Sequence, residues 1–226
     1  MPKVEFLFDE GKDIWNIYRT CKSPIGFGYD FSSSIDKSLL KILKDKSIGE
    51  CKNELEEYNK ELYNPYKMKK LTKIFKNAWR KVELKFFKRL EEITKRKFTG
   101  DIKCYLTTIC RCPYNPDKNW FMVFFSNNAE GIIKTCCHEI LHLHFHKFYF
   151  NKLKKEVGEK EAHNIKEAMT VLLNIEFKDL ISGEDGGYPM HEELRNFIKK
   201  EWLEEKDFDE LTKKCVKFVR QSPLKD

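Results

Sequence analysis

From Met68 to Phe98 the residues Leu71, Ile74, Phe75, Ala78, Trp79, Val82, Phe86, Leu90 and Ile93 recur at three-to-four spacing with Lys and Arg between them. That is the signature of a helix with one apolar stripe, and the spacing predicts a single long helix over 68–98. Such stripes must be buried against one another. Little interrupts the helical period elsewhere, because the 226 residues hold only 10 Gly and 7 Pro. The chain is long enough for one large domain, or for a catalytic domain with a helical attachment. A mostly helical fold follows, with minor strand content.

Val4 to Phe8 reads as a short strand, and an irregular stretch, Ser23 to Phe31, carries the aromatic run Phe27-Gly28-Tyr29-Asp30-Phe31. Ser32 to Ser34 offer N-caps for a helix bearing Leu39, Leu40, Ile42 and Leu43. The pattern changes after Thr99-Gly100: Ile102 to Cys112 and Trp120 to Ser126 are strand-like and are separated by turn residues, the mark of a β-hairpin. Asn127-Asn128 then caps a helix running to about Phe150. A polar connection, Lys152 to Glu161, leads to a second apolar helix from about His163 to Phe177. The loop Ser182 to Gly187 precedes two closing helices near Met190–Glu205 and Phe208–Arg220. The expected class is α+β, mostly helical, with a small antiparallel hairpin or sheet packed on the helix that starts at Asn128. Residues 1–98 form a helical region, as scaffold, substrate lobe or regulatory segment, and residues 99–226 a catalytic one.

The net charge of +7, from 43 Lys+Arg against 36 Asp+Glu, is spread along helix faces. It reads as a solvated surface, so nucleic acid is not expected as a partner. Glu5, Asp9 and Glu10 stand where a signal peptide needs basic residues, and runs such as Phe121–Phe125 fall far short of the ~20 residues of a membrane helix. No membrane association and a cytoplasmic location are expected; the oligomeric state is open. In that compartment the eight cysteines read as reduced thiols. None shows the C-x2-C spacing of a zinc knuckle, and Cys110 and Cys112, in a strand-like run, read as packing residues.

The chemistry centres on His138-Glu139-Ile140-Leu141-His142. Two His four apart on a helix project from one face and can share one tetrahedral metal, while Glu139 can reach a water on that metal as a general base. The flanks are uncharged, so the cluster is buried and needs satisfying. His144 and His146 are expected behind the site or at the surface. A catalytic zinc needs a third ligand, and Glu167 is the first candidate: Asn164, Glu167, Val171 and Asn174 form a stripe beside an apolar helix face, with Glu161, His163 and Glu176 competing. For the oxyanion, Tyr188 and His191 follow the Gly-rich loop, with Arg195 one turn later.

This arrangement resembles the gluzincins, and especially the minimal, minigluzincin-like members, across about residues 102–195. The resemblance implies one Zn2+ per chain held by His138, His142 and Glu167, and Glu139 as base. It also implies a peptide or protein substrate whose backbone lies along the strand Trp120–Ser126, and a Tyr, His or Arg from downstream as electrophile. Lys166 departs from the better-known pattern, where Asn often precedes the Glu, as does Val171 at an often acidic position. The expected function is a zinc metallopeptidase, a hydrolase of peptide bonds. The alternatives are a metal-binding protein without peptidase activity, with structural zinc or an occluded cleft, and a nucleic-acid-associated metal hydrolase.

Overall fold

The structure, a computed structural model, describes residues 1–26 and 29–221. Phe27 and Gly28 of the aromatic run, and residues 222–226, lie outside the described residues. In chain order the elements are β1 (Val4–Leu7), α1 (Glu10–Lys22), β2 (Ile25–Gly26), β3 (Tyr29–Asp30), α2 (Lys37–Leu43), α3 (Ile48–Tyr58), α4 (Pro65–Arg80) and α5 (Glu83–Thr94). There follow β4 (Ile102–Thr107), β5 (Tyr114–Asn115), β6 (Trp120–Phe124), α6 (Ala129–Phe145), α7 (Asn151–Ala168), α8 (Leu173–Glu176), α9 (Glu192–Glu204) and α10 (Phe208–Gln221). Helix accounts for 64% of the structure, so the fold is mostly helical α+β.

The chain forms two compact units: Val4–Trp79 with Asp101–Ile132, and Met1–Lys3 with Arg80–Gly100 and Ile133–Asp226. The division does not follow the 98/99 boundary read from the sequence, because β4 pairs with β1 and draws the strands into the unit of the amino-terminal helices.

In that unit a four-stranded sheet has the order β1-β4-β6-β5. The expected antiparallel hairpin is corrected here. β4 runs parallel to both β1, with Val4 opposite Ile102, and β6, with Lys103 opposite Trp120. Only the two-residue β5 turns back antiparallel on β6. Residues 108–119 give the dozen or so residues that a parallel crossover needs, and Trp120 to Val123 are buried without alternation, as in a strand covered on both faces. β6 therefore lies between β4 and β5 and is not the free edge expected to receive a peptide. Asp13 of α1 ties that helix to the end of β4: its carboxylate accepts from the Thr107 hydroxyl at 2.6 Å, the Thr108 amide at 2.8 Å and hydroxyl at 2.7 Å, and the Tyr63 hydroxyl at 2.9 Å. Cys110 and Cys112 fall after the strand ends at Thr107. None of the eight cysteines is in a disulfide.

Three other expectations change. Ser32–Ser34 form a short 3-10 turn, and α2 is capped by Asp36, whose side chain accepts from the Ser38 amide at 2.8 Å. The long helix over 68–98 is two helices, α4 and α5, broken without Gly or Pro at 81–82. The break falls where the chain leaves one unit for the other, so α4 buries Met68, Phe75 and Trp79 in the first and α5 buries Phe86, Phe87 and Leu90 in the second. Tertiary burial overrides a period that local propensity would continue. Lastly, Lys152–Glu161 is helical and not a connection: α7 runs from Asn151, with Gly158 at φ 84° interrupting it, a conformation glycine adopts without a Cβ clash.

The core of the second unit gathers Phe145, Leu172, Leu194, Ile198, Trp202 and Leu211 among its buried residues. A π-helical turn, His146–Phe150, joins α6 to α7, and a 3-10 turn, Met169–Leu172, joins α7 to α8. α6 and the last turn of α7 carry the candidate site.

Candidate metal centre

α6 starts where Asn128 Oδ1 accepts from the Gly131 amide at 2.7 Å, the cap read from the sequence. Cys136, Cys137, Ile140 and Leu141 are buried around the motif, which orients the helix and turns His138, Glu139 and His142 to one place. The rings of His138 and His142 are 4.4 Å apart and nearly perpendicular. Glu167, at the end of α7, puts Oε2 at 3.1 Å from His142 Nε2 and 3.9 Å from His138 Nε2. One ligand atom from each residue lies within 4.8 Å of the other two. Tetrahedral donors at 2.0–2.1 Å from a zinc ion stand about 3.4 Å apart. Two imidazoles and one carboxylate therefore fit a single ion in chemistry and in spacing.

The stripe read from the sequence faces this cluster. Asn164 and Glu167 are buried; the Asn164 side chain lies 3.1 Å from His191 Nε2, and Asn174 is bonded to the backbone of Asp185. The competing ligands are engaged elsewhere. Glu161 accepts from Asn164, His163 packs on Phe150 with ring centroids 4.7 Å apart, and Glu176 accepts from the Trp202 indole and from Lys206.

Asp185 was not singled out in the sequence, yet it lies 2.7 Å from His138 Nδ1. Its other oxygen is 2.8 Å from the Thr170 hydroxyl and 3.4 Å from Arg195 Nη1, and Arg195 Nη2 donates to its carbonyl. The carboxylate holds a proton on His138 Nδ1 and turns Nε2 toward Glu167, so that loss of the second proton leaves the tautomer a metal ligand needs. It sits in a stretch whose Ser, Gly and acidic residues read as a linker. The available signal was the glycine pair after it: Gly187 has φ 64°, and a Cβ there would stand 2.7 Å from Arg195 Nη1, so the loop closes over the guanidinium only with glycine.

Burial and neighbouring charge separate the titrations. Burial lowers His138, but the adjacent Asp185 outweighs it and raises the imidazole to about 9. His142 is lowered to about 3 by burial, against the pull of Glu167. Burial alone would raise Glu167, yet His142 and Lys166 hold it well below the ordinary carboxylate range. Asp185 falls to about 2, with His138 overcoming the cost of burial. Glu139 is raised to about 7, chiefly by burial. It is 6% exposed, and its Oε2 has no hydrogen-bond partner among the described residues.

Of the proposed electrophiles, His191 is fully buried with Nε2 on Asn164. Tyr188 is half-buried, its ring 5.8 Å from that of His191, and it lines a cavity of about 440 Å³ together with Asp185, Gly187 and Arg195. Arg195 is taken up by Asp185 and Thr170. His144 differs from the supporting or surface role expected of it. It is fully buried, packed against Phe98 and Phe148, with neither ring nitrogen hydrogen-bonded among the described residues. His146 stacks on Phe150 at 4.1 Å.

No family model matches the chain, and comparison with curated proteins and with solved structures yields no match.

Proposed function

We propose that this protein is a zinc-dependent metallopeptidase, gluzincin-like in taking its third ligand as a Glu from the helix after the motif. His138, His142 and Glu167 hold the ion, one per chain, and Glu139 is the general base. The observation that carries this reading is Glu139 itself: a buried carboxylate one residue from a ligand, with an oxygen unpartnered among the described residues. A purely structural zinc site needs no such group, whereas water activation requires a base beside the ion. A zinc ion held by these residues acidifies water and polarises a peptide carbonyl.

Glu139 takes the proton from the attacking water and passes it to the departing amine. Asp185 keeps His138 in the metal-binding tautomer through the 2.7 Å contact. Tyr188, whose hydroxyl can donate, is the group assigned to the developing oxyanion, with the buried His191 packed against its ring. The substrate is a peptide or protein. The proposed location is cytoplasmic, where eight thiols outside any disulfide stay reduced; among the described residues no helix is long and apolar enough to cross a membrane.

The test is hydrolysis of a mixed-sequence peptide library by zinc-loaded wild type and Glu139→Gln. The variant should retain zinc and lose roughly 10²- to 10⁴-fold in rate, the usual contribution of a general base. Equal rates with zinc bound, or no cleavage by the loaded wild type, would overturn the reading.

A further inference from the structure

Lys166 is the most unusual residue of the centre. It is 1% exposed, although lysine is almost never fully buried without a partner. Its Nζ lies 2.5 Å from Glu167 Oε1, and its charge also acts on Glu139, His142 and His191. The two oxygens of Glu167 thus face different ways: Oε1 to the ammonium, and Oε2 to the imidazoles, at 3.1 Å from His142 Nε2 and 3.9 Å from His138 Nε2. A carboxylate ligand left to itself can close on a metal with both oxygens and use up a coordination position. Here a short charge-assisted hydrogen bond, removed from water on both sides, occupies one of them. Turning Oε1 to the metal would give up that buried hydrogen bond.

We propose that Lys166 is a positioning residue that confines Glu167 to one donor atom, Oε2, and so keeps a coordination position open for water and substrate. This rests on the metal-centre reading above and adds the device that holds the site in its open, catalytic form instead of a closed, structural one. The residue lies next to Glu167 in the chain, where adjacent side chains on a helix point about 100° apart, so the lysine has to fold back to reach Oε1. Arginine, longer but also cationic, can make the same contact; methionine, of similar length and without charge, cannot.

The test uses the full chain loaded with Co2+ in place of zinc. Its visible absorption is strongest for four-coordinate sites and falls as the coordination number rises. Wild type should bind one Co2+ per chain with the intense spectrum. Lys166→Met should bind the same amount with the visible intensity reduced by about half or more, as the second oxygen joins the metal, and Lys166→Arg should restore the wild-type spectrum. A merely structural role for Lys166 moves stability without moving that spectrum. Superimposable spectra of wild type and Lys166→Met overturn the inference and leave the metal centre standing, whereas a wild type that takes up no Co2+ or Zn2+ removes both. Should Lys166→Met fail to fold, Lys166→Leu, which also has no donor, carries the same expectation. Independently of any variant, X-ray absorption or a crystal structure of the zinc-loaded wild type with both Glu167 oxygens on the metal overturns it.

Discussion

Replacing Asp185 by Asn changes one atom and no shape, and its effect can be worked from the contacts. In the wild type the carboxylate lies 2.7 Å from His138 Nδ1, while its second oxygen faces the Thr170 hydroxyl at 2.8 Å and Arg195 at 3.4 Å. Arginine can only donate, so the single oxygen of the introduced amide is drawn to that side and its NH2 group faces His138. A donor there requires a bare Nδ1, which moves the imidazole proton to Nε2, the atom aimed at Glu167. The metal then meets an N–H where it needs a lone pair. Recovering the binding tautomer costs one charge-assisted hydrogen bond, about 1.5–3 kcal/mol, so zinc affinity should fall roughly 10- to 100-fold, the range seen when the partner of a metal-binding His is removed. The assay is competition with a chromophoric chelator at pH 9.5, where the wild-type His138, raised to about 9, is mostly neutral and the tautomer alone is compared, with circular dichroism of the metal-free variant to establish the fold. An affinity within about twofold of wild type would refute the tautomer argument.

Further expectations concern protons. Zinc must displace the His138 proton, held in the metal-free protein up to about 9, while His142, lowered to about 3, is already neutral. Affinity should therefore fall about tenfold per pH unit from 8.5 to 6.5, one proton per metal, measured by the same competition at each pH; a fall of only about fourfold confined to the low end of that window, as for two ordinary histidines, would contradict it. His144→Phe removes a buried imidazole whose folded pKa is lowered to about 3 from 6.5. Below pH 6.5 the unfolded chain takes up a proton that the folded one refuses, so wild type loses stability on acidification, by about 1.4 kcal/mol at pH 5.5. Urea unfolding of metal-free proteins at pH 7.5 and 5.5 should show the variant gaining about that much relative to wild type at the lower pH. An unchanged difference between the two conditions would mean that His144 titrates normally.

The helix of the candidate site was legible because its signals are local. Two His and a Glu at fixed helical spacing, an Asn cap and apolar flanks all lie within one element, and the stripe Asn164-Glu167-Asn174 likewise follows from helical period. Glu167 could be nominated from that stripe, but what distinguishes it from Glu161 and Glu176 is which turn of the α7–α8 segment reaches His142, a tertiary fact. Asp185 had no periodic pattern to mark it, since it works from a loop held by Arg195 and Asn174. The strands were recognisable by composition, yet composition does not carry strand direction: Ile102–Thr107 and Trp120–Phe124 look the same whether their ladder is parallel or antiparallel. Nor does the stripe from Met68 to Phe98 reveal that its halves serve two cores, because the helical period runs through 81–82 unbroken while the backbone does not.

The most direct test is the metal content of the purified protein after zinc loading and exhaustive removal of free ion, measured by plasma mass spectrometry alongside His142→Ala. A metal held by His138, His142 and Glu167 requires one zinc per chain in wild type and loss of that zinc in the variant, with the fold retained by circular dichroism. A wild type without stoichiometric zinc, or a His142→Ala protein that keeps it, would contradict the assignment of these three residues as a metal centre.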